Sequence, residues 1–189
     1  MSPLITRAND MVAVGKRQFY VAQDVDRSSG ETLTNLVYFD GNDYSVVADD
    51  IHSGGGINTS ADYKTLYISE TGSKEIRVVS RDSSDGSVTT TQTIPLGTSP
   101  DNIDVAEDGS LWVGAHSNVA ALAMHFIMGS KAPSQVLRID LSGAEPQTEE
   151  MYLNAGQQIS AGSGGTTYEN KLLIGSITAR KLLICEMER

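Results

Sequence analysis

The sequence predicts an all-β chain built from propeller blades, and three observations carry that expectation. A strand–turn–strand phrase recurs four times along the 189 residues. Its central residues, Tyr20, Tyr67, Trp112 and Leu173, lie 47, 45 and 61 positions apart, about one four-stranded blade per repeat. Between the copies fall further short apolar or alternating segments, separated by residues that tolerate positive φ. Four copies predict about four blades. A β-sandwich of similar strand count is the competing architecture, and the long repeat period favours the propeller.

The first copy reads Asn9-Asp-Met-Val-Ala-Val14, a turn over Gly15-Lys-Arg-Gln18, then Phe19-Tyr-Val21. The second is Gly56-Ile-Asn-Thr-Ser60, Ala61-Asp-Tyr-Lys-Thr65, Leu66-Tyr-Ile68. The third, the cleanest, is Asn102-Ile-Asp-Val105, Ala106-Glu-Asp-Gly-Ser110, Leu111-Trp-Val113. A weaker fourth is Gly165-Thr-Thr-Tyr168, Glu169-Asn-Lys171, Leu172-Leu-Ile174. Additional strands are expected at Asn35-Leu-Val-Tyr-Phe39, Tyr44-Ser-Val-Val-Ala48, Glu75-Ile-Arg-Val-Val79, Val136-Leu-Arg-Ile139 and Lys181-Leu-Leu-Ile-Cys185. Asp40-Gly41, Asp85-Gly86 and Asp108-Gly109 supply the turn chemistry that hairpins between twisted strands require. Residues 118–133 leave this rhythm, with Ala, Leu and Met predominating. They read as a helical or irregular excursion, either a lid or lipid-contacting surface or a loop packing its own apolar side chains.

Charge excludes whole classes of partner. With 14 Lys+Arg against 24 Asp+Glu the formal net charge is −10, and no basic patch is segregated, so nucleic acid and anionic membrane are repelled. The longest apolar run, Val119-Ala-Ala-Leu-Ala-Met124, stops at His125 and resumes only for Phe126-Ile-Met128, about half of what a bilayer requires, so no transmembrane helix is expected. The start, Met1-Ser-Pro-Leu-Ile-Thr-Arg7, lacks the basic and apolar regions of a secretory signal, which by itself favours the cytoplasm. The single cysteine, Cys185, is either a small apolar core residue or half of a bridge to another segment. The triplet Asn58-Thr59-Ser60 is a glycosylation sequon that matters only on a secretory route.

Taken together, Asn9-Asp-Met-Val-Ala-Val-Gly15 with Phe19-Tyr20, Gly56-Ile-Asn58, Asp101-Asn102-Ile-Asp-Val105, Leu111-Trp-Val-Gly-Ala-His116, Val136-Leu-Arg-Ile139 and Lys171-Leu-Leu-Ile-Gly175 resemble the paraoxonase/arylesterase family in order and spacing. The resemblance covers nearly the whole chain and corresponds to roughly the last four blades of that family's six-bladed propeller. It implies that residues 1–189 form a single propeller region whose N-terminal blades are missing. It also implies a calcium-dependent hydrolase of aryl esters and lactones. A hard cation takes several oxygens, polarises the ester carbonyl and stabilises the developing oxyanion.

Carried over position by position, the resemblance implies four metal ligands. Asp101 and Asn102 match an Asp-Asn ligand pair, and Gln23 stands where the family has an Asn. Asp24 matches a ligand of a second, structural calcium. Gly55 stands where the family has another Asn ligand, and the acidic ligand from the family's first blade has no counterpart. His116 corresponds to a histidine at the active-site mouth and is the candidate lining residue, whereas the family's catalytic histidine pair belongs to blades absent here. His52 and His125 are expected on the surface or in loops. Cys185 matches a cysteine that the family bridges to a partner near the start of its full-length chain. Family members are commonly secreted or membrane-associated, in conflict with the absence of a leader here.

Other chemistries find no support in the residues. Ser53-Gly-Gly-Gly56 and Ser163-Gly-Gly-Thr166 lack the Lys-Ser/Thr ending of a phosphate loop and read as turns. Glu107-Asp108 and Glu149-Glu150 read as solvated turn ends, and Asp82-Ser-Ser-Asp-Gly86 as a hairpin. The leading expectation is therefore a calcium-dependent ester or lactone hydrolase. The competing one is a non-catalytic truncated or pseudoenzyme form that binds a partner through open blade faces, self-associates through them, or closes into a compact four-bladed ring.

Overall fold

The computed structural model describes residues 2–26 and 28–187. The chain divides into two compact units, Met1–Gly97 and Thr98–Arg189. Unit 1 holds two four-stranded antiparallel sheets, β1 (Ala8–Ala13), β2 (Phe19–Gln23), β3 (Thr34–Phe39) and β4 (Tyr44–Ile51), then β5 (Gly54–Thr59), β6 (Thr65–Glu70), β7 (Glu75–Arg81) and β8 (Val88–Pro95). Unit 2 holds a third four-stranded sheet, β9 (Ser99–Val105), β10 (Leu111–His116), β11 (Ser134–Asp140) and β12 (Gln147–Asn154), and a three-stranded one, β13 (Gly162–Tyr168), β14 (Lys171–Ser176) and β15 (Leu183–Glu186). Each sheet is a meander in chain order, the topology of a propeller blade. The four predicted phrases are the first hairpins of the four blades. The long interval before the fourth arises because helix α1 (Val119–Met128) is inserted between β10 and β11.

Packing follows the strand alternation. In unit 1, Tyr20, Ala22, Leu36, Tyr38 and Ile51 of the first blade cluster with Ile57, Leu66, Ile68 and Val79 of the second. Each buried large apolar side chain contributes about 1.5–3 kcal/mol. Tyr20 and Tyr38 stack with ring centroids 4.6 Å apart. In unit 2, Trp112 and Val136 pack with Ile159, Leu172 and Ile174, and Cys185 lies partly buried against this cluster as a free thiol.

Each blade's first strand carries a one-residue bulge against its second. The extra residue is Asn9 in β1, Gly55 in β5 and Ser163 in β13, whereas in β9 Asp101 and Asn102 together face Gly114. A bulge breaks strict alternation and re-aims the side chains at that point.

Three expectations are corrected. The Ser-Gly-Gly tracts are not turns: residues 54–56 open β5 and residues 162–165 open β13. Their glycines permit close approach of neighbouring strands, since a Cβ on Gly165 would lie 2.7 Å from Val136 Cγ1. Glu149 and Glu150 are not turn ends but stand within β12, where Glu150 Oε2 accepts a hydrogen bond from Gln135 Nε2 at 2.6 Å. Residues 119–128 do not pack their own apolar side chains as a loop. They form α1, capped by Asn118 Oδ1 accepting from the Ala121 N–H (2.9 Å) and by Gly129 at φ 68°, and none of its residues is buried. Among the described residues no helix is long and apolar enough to cross a membrane.

Unlike the outermost strands β4 and β15, which were expected at Tyr44–Ala48 and Lys181–Cys185, strands β8 and β12 had no apolar sequence signal. Threonines and glutamates there face water, and apolar alternation is not needed.

Candidate functional site

The residues that the resemblance singled out fall in both units. In unit 2 the bulge of β9 presents Asp101 and Asn102. His116, the last residue of β10, pairs in register with Ser99, two residues before Asp101. Its Nε2 lies 3.1 Å from Asp101 Oδ2. The Asn102 Nδ2 amide donates to the carbonyl oxygen of Ser163 at 3.0 Å, tying the bulge of β9 to that of β13. Gly114 makes this approach sterically feasible: a Cβ there would sit 2.3 Å from the Ser163 carbonyl carbon. With the amide nitrogen engaged by Ser163, the Asn102 carbonyl oxygen is the end left to face a cation or a substrate.

An open groove of about 480 Å³ runs beside this bulge within unit 2. Asn102, Asp104, Ser163 and Thr166 form its polar edge, and Leu173 and Leu182 its apolar wall. The Thr166 hydroxyl hydrogen-bonds to Asp104 Oδ2. A groove with one polar edge and one apolar wall suits a small molecule carrying a carbonyl group on a hydrocarbon body.

In unit 1, Gln23 ends β2 and is fully buried. Its Oε1 accepts from the backbone N–H of Thr6 (2.7 Å) and of Arg7 (3.3 Å), and its Nε2 donates to the Leu4 carbonyl (3.1 Å) and to Asn35 Oδ1. Asp24 follows directly, and its Oδ1 accepts from the Val25 N–H (2.8 Å) and from the Ser53 hydroxyl. Gly55, the bulge residue of β5, offers no side-chain oxygen.

These partners test calcium on the chain's own atoms. Asp101 and Asn102, consecutive residues of the β9 bulge, supply one carboxylate and one amide, donor types that a hard cation takes. Gln23 fits poorly, because both lone-pair directions of its oxygen are engaged by backbone N–H groups. Among the described residues no group of three or more His, Cys, Asp or Glu side chains is gathered for a metal.

His52 and His125 lie where expected, in a connection and on an exposed helix. His52 donates its backbone N–H to Glu70 Oε2 (2.8 Å) and brings Nδ1 to 3.0 Å from the same oxygen. Glu70 is fully buried and also receives Arg77 Nε, and Arg77 bridges on to Asp50 at 2.8 Å. His125 joins α1 to Thr178 Oγ1 at 2.7 Å and to the Ser130 carbonyl. Three further residues, Ser53, Ser163 and Glu70, are not singled out for a site by the sequence, although the two serines each open a Ser-Gly-Gly tract.

Comparison with known proteins places these features in context. A family model described as arylesterase matches residues 2–187. Serum paraoxonase/arylesterase 2 of Gallus gallus is 32% identical over 97% of this chain and 54% of its own length. Serum paraoxonase/lactonase 3 of Homo sapiens is 28% identical over the same shares. The chain thus spans about half the length of the relatives it matches. Among solved structures, the periplasmic gluconolactonase of Pseudomonas aeruginosa superposes with a TM-score of 0.61 at 12% identity, covering 96% of this chain and 50% of that one, a likeness of fold.

Proposed function

The chain belongs to the arylesterase family, and from that premise we propose that it is a calcium-dependent hydrolase of aryl esters and lactones, with residues 1–189 forming one region of the family's propeller. The observation that supports the reading is the β9 bulge, which carries Asp101 and Asn102 in succession, Asp101 contacting His116 and Asn102 lining the groove of unit 2. Asp101 and Asn102 hold the cation. Of the other residues that the resemblance implies as ligands, Asp24 goes with a second, structural calcium, and the Gln23 oxygen is already taken by its backbone partners. When bound, calcium polarises the scissile carbonyl and stabilises the oxyanion as it forms. The chain's own residues do the rest. Ser163 orients the Asn102 amide. Leu173 and Leu182 take the hydrocarbon portion of the ester and exclude water from one side of it.

Hydrolysis of phenyl acetate and of a simple lactone by the purified chain, with and without a calcium chelator, tests the activity. Chelator-sensitive turnover that disappears in Asp101→Asn supports it. Turnover that persists in the chelator and in that variant contradicts it.

A second reading is a non-catalytic module that binds or self-associates through an open blade face. It draws on two observations. Gly55 and the engaged Gln23 leave few oxygens for a cation, and Leu182 and Ile184 on the three-stranded blade are more than half exposed. A chain that is silent to calcium and whose sedimentation changes with concentration favours this alternative.

A further inference from the structure

Two surroundings of the His116 imidazole bear on which of its nitrogens carries the proton. Nε2 lies 3.1 Å from Asp101 Oδ2. A carboxylate only accepts, so this hydrogen bond needs the proton on Nε2. The other end of the ring gives the same answer independently. Nδ1 is buried and has no hydrogen-bond partner among the described residues. An N–H placed there would be a stranded donor, whereas a bare lone pair is the less costly occupant. Only 6% of His116 is exposed, so solvent has little access to that side.

We propose that His116 is a positioning residue: a fixed Nε2–H donor that holds the Asp101 carboxylate in place and accepts no proton from the attacking water. A general base needs an accessible lone pair within hydrogen-bond reach of its water. The lone pair of His116 is on the buried nitrogen, and its other nitrogen is already protonated toward Asp101. Asp101 needs such a support because it sits on a bulge, where the strand ladder restrains it least. Outer partners of this kind orient a ligand carboxylate and set its affinity. The inference rests on reading Asp101 as a calcium ligand, but its first test is independent of that reading.

The test has two parts. Long-range proton–nitrogen correlation spectra of histidine-labelled protein, at one mildly alkaline pH, report the protonated nitrogen of each ring. The His116 signals are those missing in His116→Gln. Protonated Nε2 with unprotonated Nδ1 is expected, and a protonated Nδ1 or an averaged pair overturns the assignment. Calcium titration then separates positioning from mere packing. His116→Gln retains an N–H donor toward Asp101 and keeps its affinity, whereas His116→Ala loses about 10- to 100-fold, with folding checked by circular dichroism. Equal affinity in all three proteins overturns the positioning role. A wild-type chain that binds no calcium removes Asp101's part as a ligand, and the spectra alone then decide the tautomer.

Discussion

Tyr20 donates its phenolic O–H to the carbonyl oxygen of Gly86 at 2.7 Å, joining the second strand of the first blade to the β7–β8 hairpin of the second. Arg81 Nε donates to the same phenolic oxygen at 3.1 Å. Gly86 has φ 77°, and a Cβ there would lie 2.1 Å from a ring atom of Tyr38. One hydroxyl, one left-handed glycine and one aromatic stack therefore fix how the two blades of unit 1 meet. Tyr20→Phe leaves the buried Gly86 carbonyl without that donor and should destabilise the chain by about 1–3 kcal/mol, measured as a lower urea midpoint at unchanged slope.

The same tyrosine predicts an alkaline limit. Burial, partly opposed by Arg81, pushes its ionisation up from 10.0 to about 12. The folded chain thus keeps a proton that the unfolded chain releases first. The contribution is intact below pH 10 and is lost as pH rises toward 12. Burial raises Tyr67 and Tyr152 as well, so spectrophotometric titration should show late-ionising tyrosines in the wild type, with the latest step lost in Tyr20→Phe.

An acid limit follows from the hairpins. Asp82 and Asp108 each accept from the hydroxyl and backbone N–H of the serine two residues on, Ser84 and Ser110, and the Ser142 side chain and backbone N–H act on Asp140 in the same way. The Ser110 hydroxyl, then its backbone N–H, with Arg138 beyond, hold the Asp108 carboxyl below its ordinary 3.8. Folded values below the unfolded one mean stability present above pH 3.8 and lost as pH falls through the lowered values. Carboxyl-carbon NMR should show Asp108 titrating later than a free aspartate on acidification, and closer to it in Ser110→Ala.

Gly114 separates the candidate site from a merely similar sheet. Gly114→Ala drives a methyl group into the Ser163 backbone, a contact that no side-chain rotation relieves. It should destabilise the chain by about 3 kcal/mol or more and weaken calcium binding as the Asn102–Ser163 contact is lost. Unchanged urea midpoint and calcium response would show that β10 and β13 do not approach as described.

Gln23→Asn installs the residue that the family resemblance expects, on a side chain one methylene shorter. The shorter amide forfeits the N–H groups of Thr6 and Arg7, so stability falls by about 1–3 kcal/mol. Gly55→Asn places an amide at the bulge of β5, where the resemblance expects one. Comparing the two variants by calorimetry shows which of the family's amide positions this chain still offers to a cation.

Much of the blade architecture was legible because buried inner strands must be apolar at fixed spacing, as in Leu66-Tyr-Ile68 and Leu111-Trp-Val113. Two outermost strands, β8 and β12, were not, because Thr89–Thr91 and Glu149–Glu150 sit where water satisfies one face. The glycine tracts were misread since local propensity alone makes Gly-Gly a turn, and only the neighbouring strand reveals that a Cβ is forbidden. Within the site, residue identities were legible and their partners were not. Nothing in the order of residues says that Gln23 secures residues 4–7, or that His116 meets Asp101 through a bulge.

The central claim is that Asp101 and Asn102 together hold calcium, and calorimetric titration of the intact chain with calcium chloride measures it most directly. The account predicts saturable binding that is abolished in Asp101→Asn and weakened in Asn102→Ala. Absence of heat in the wild type, or equal binding in all three proteins, would contradict it.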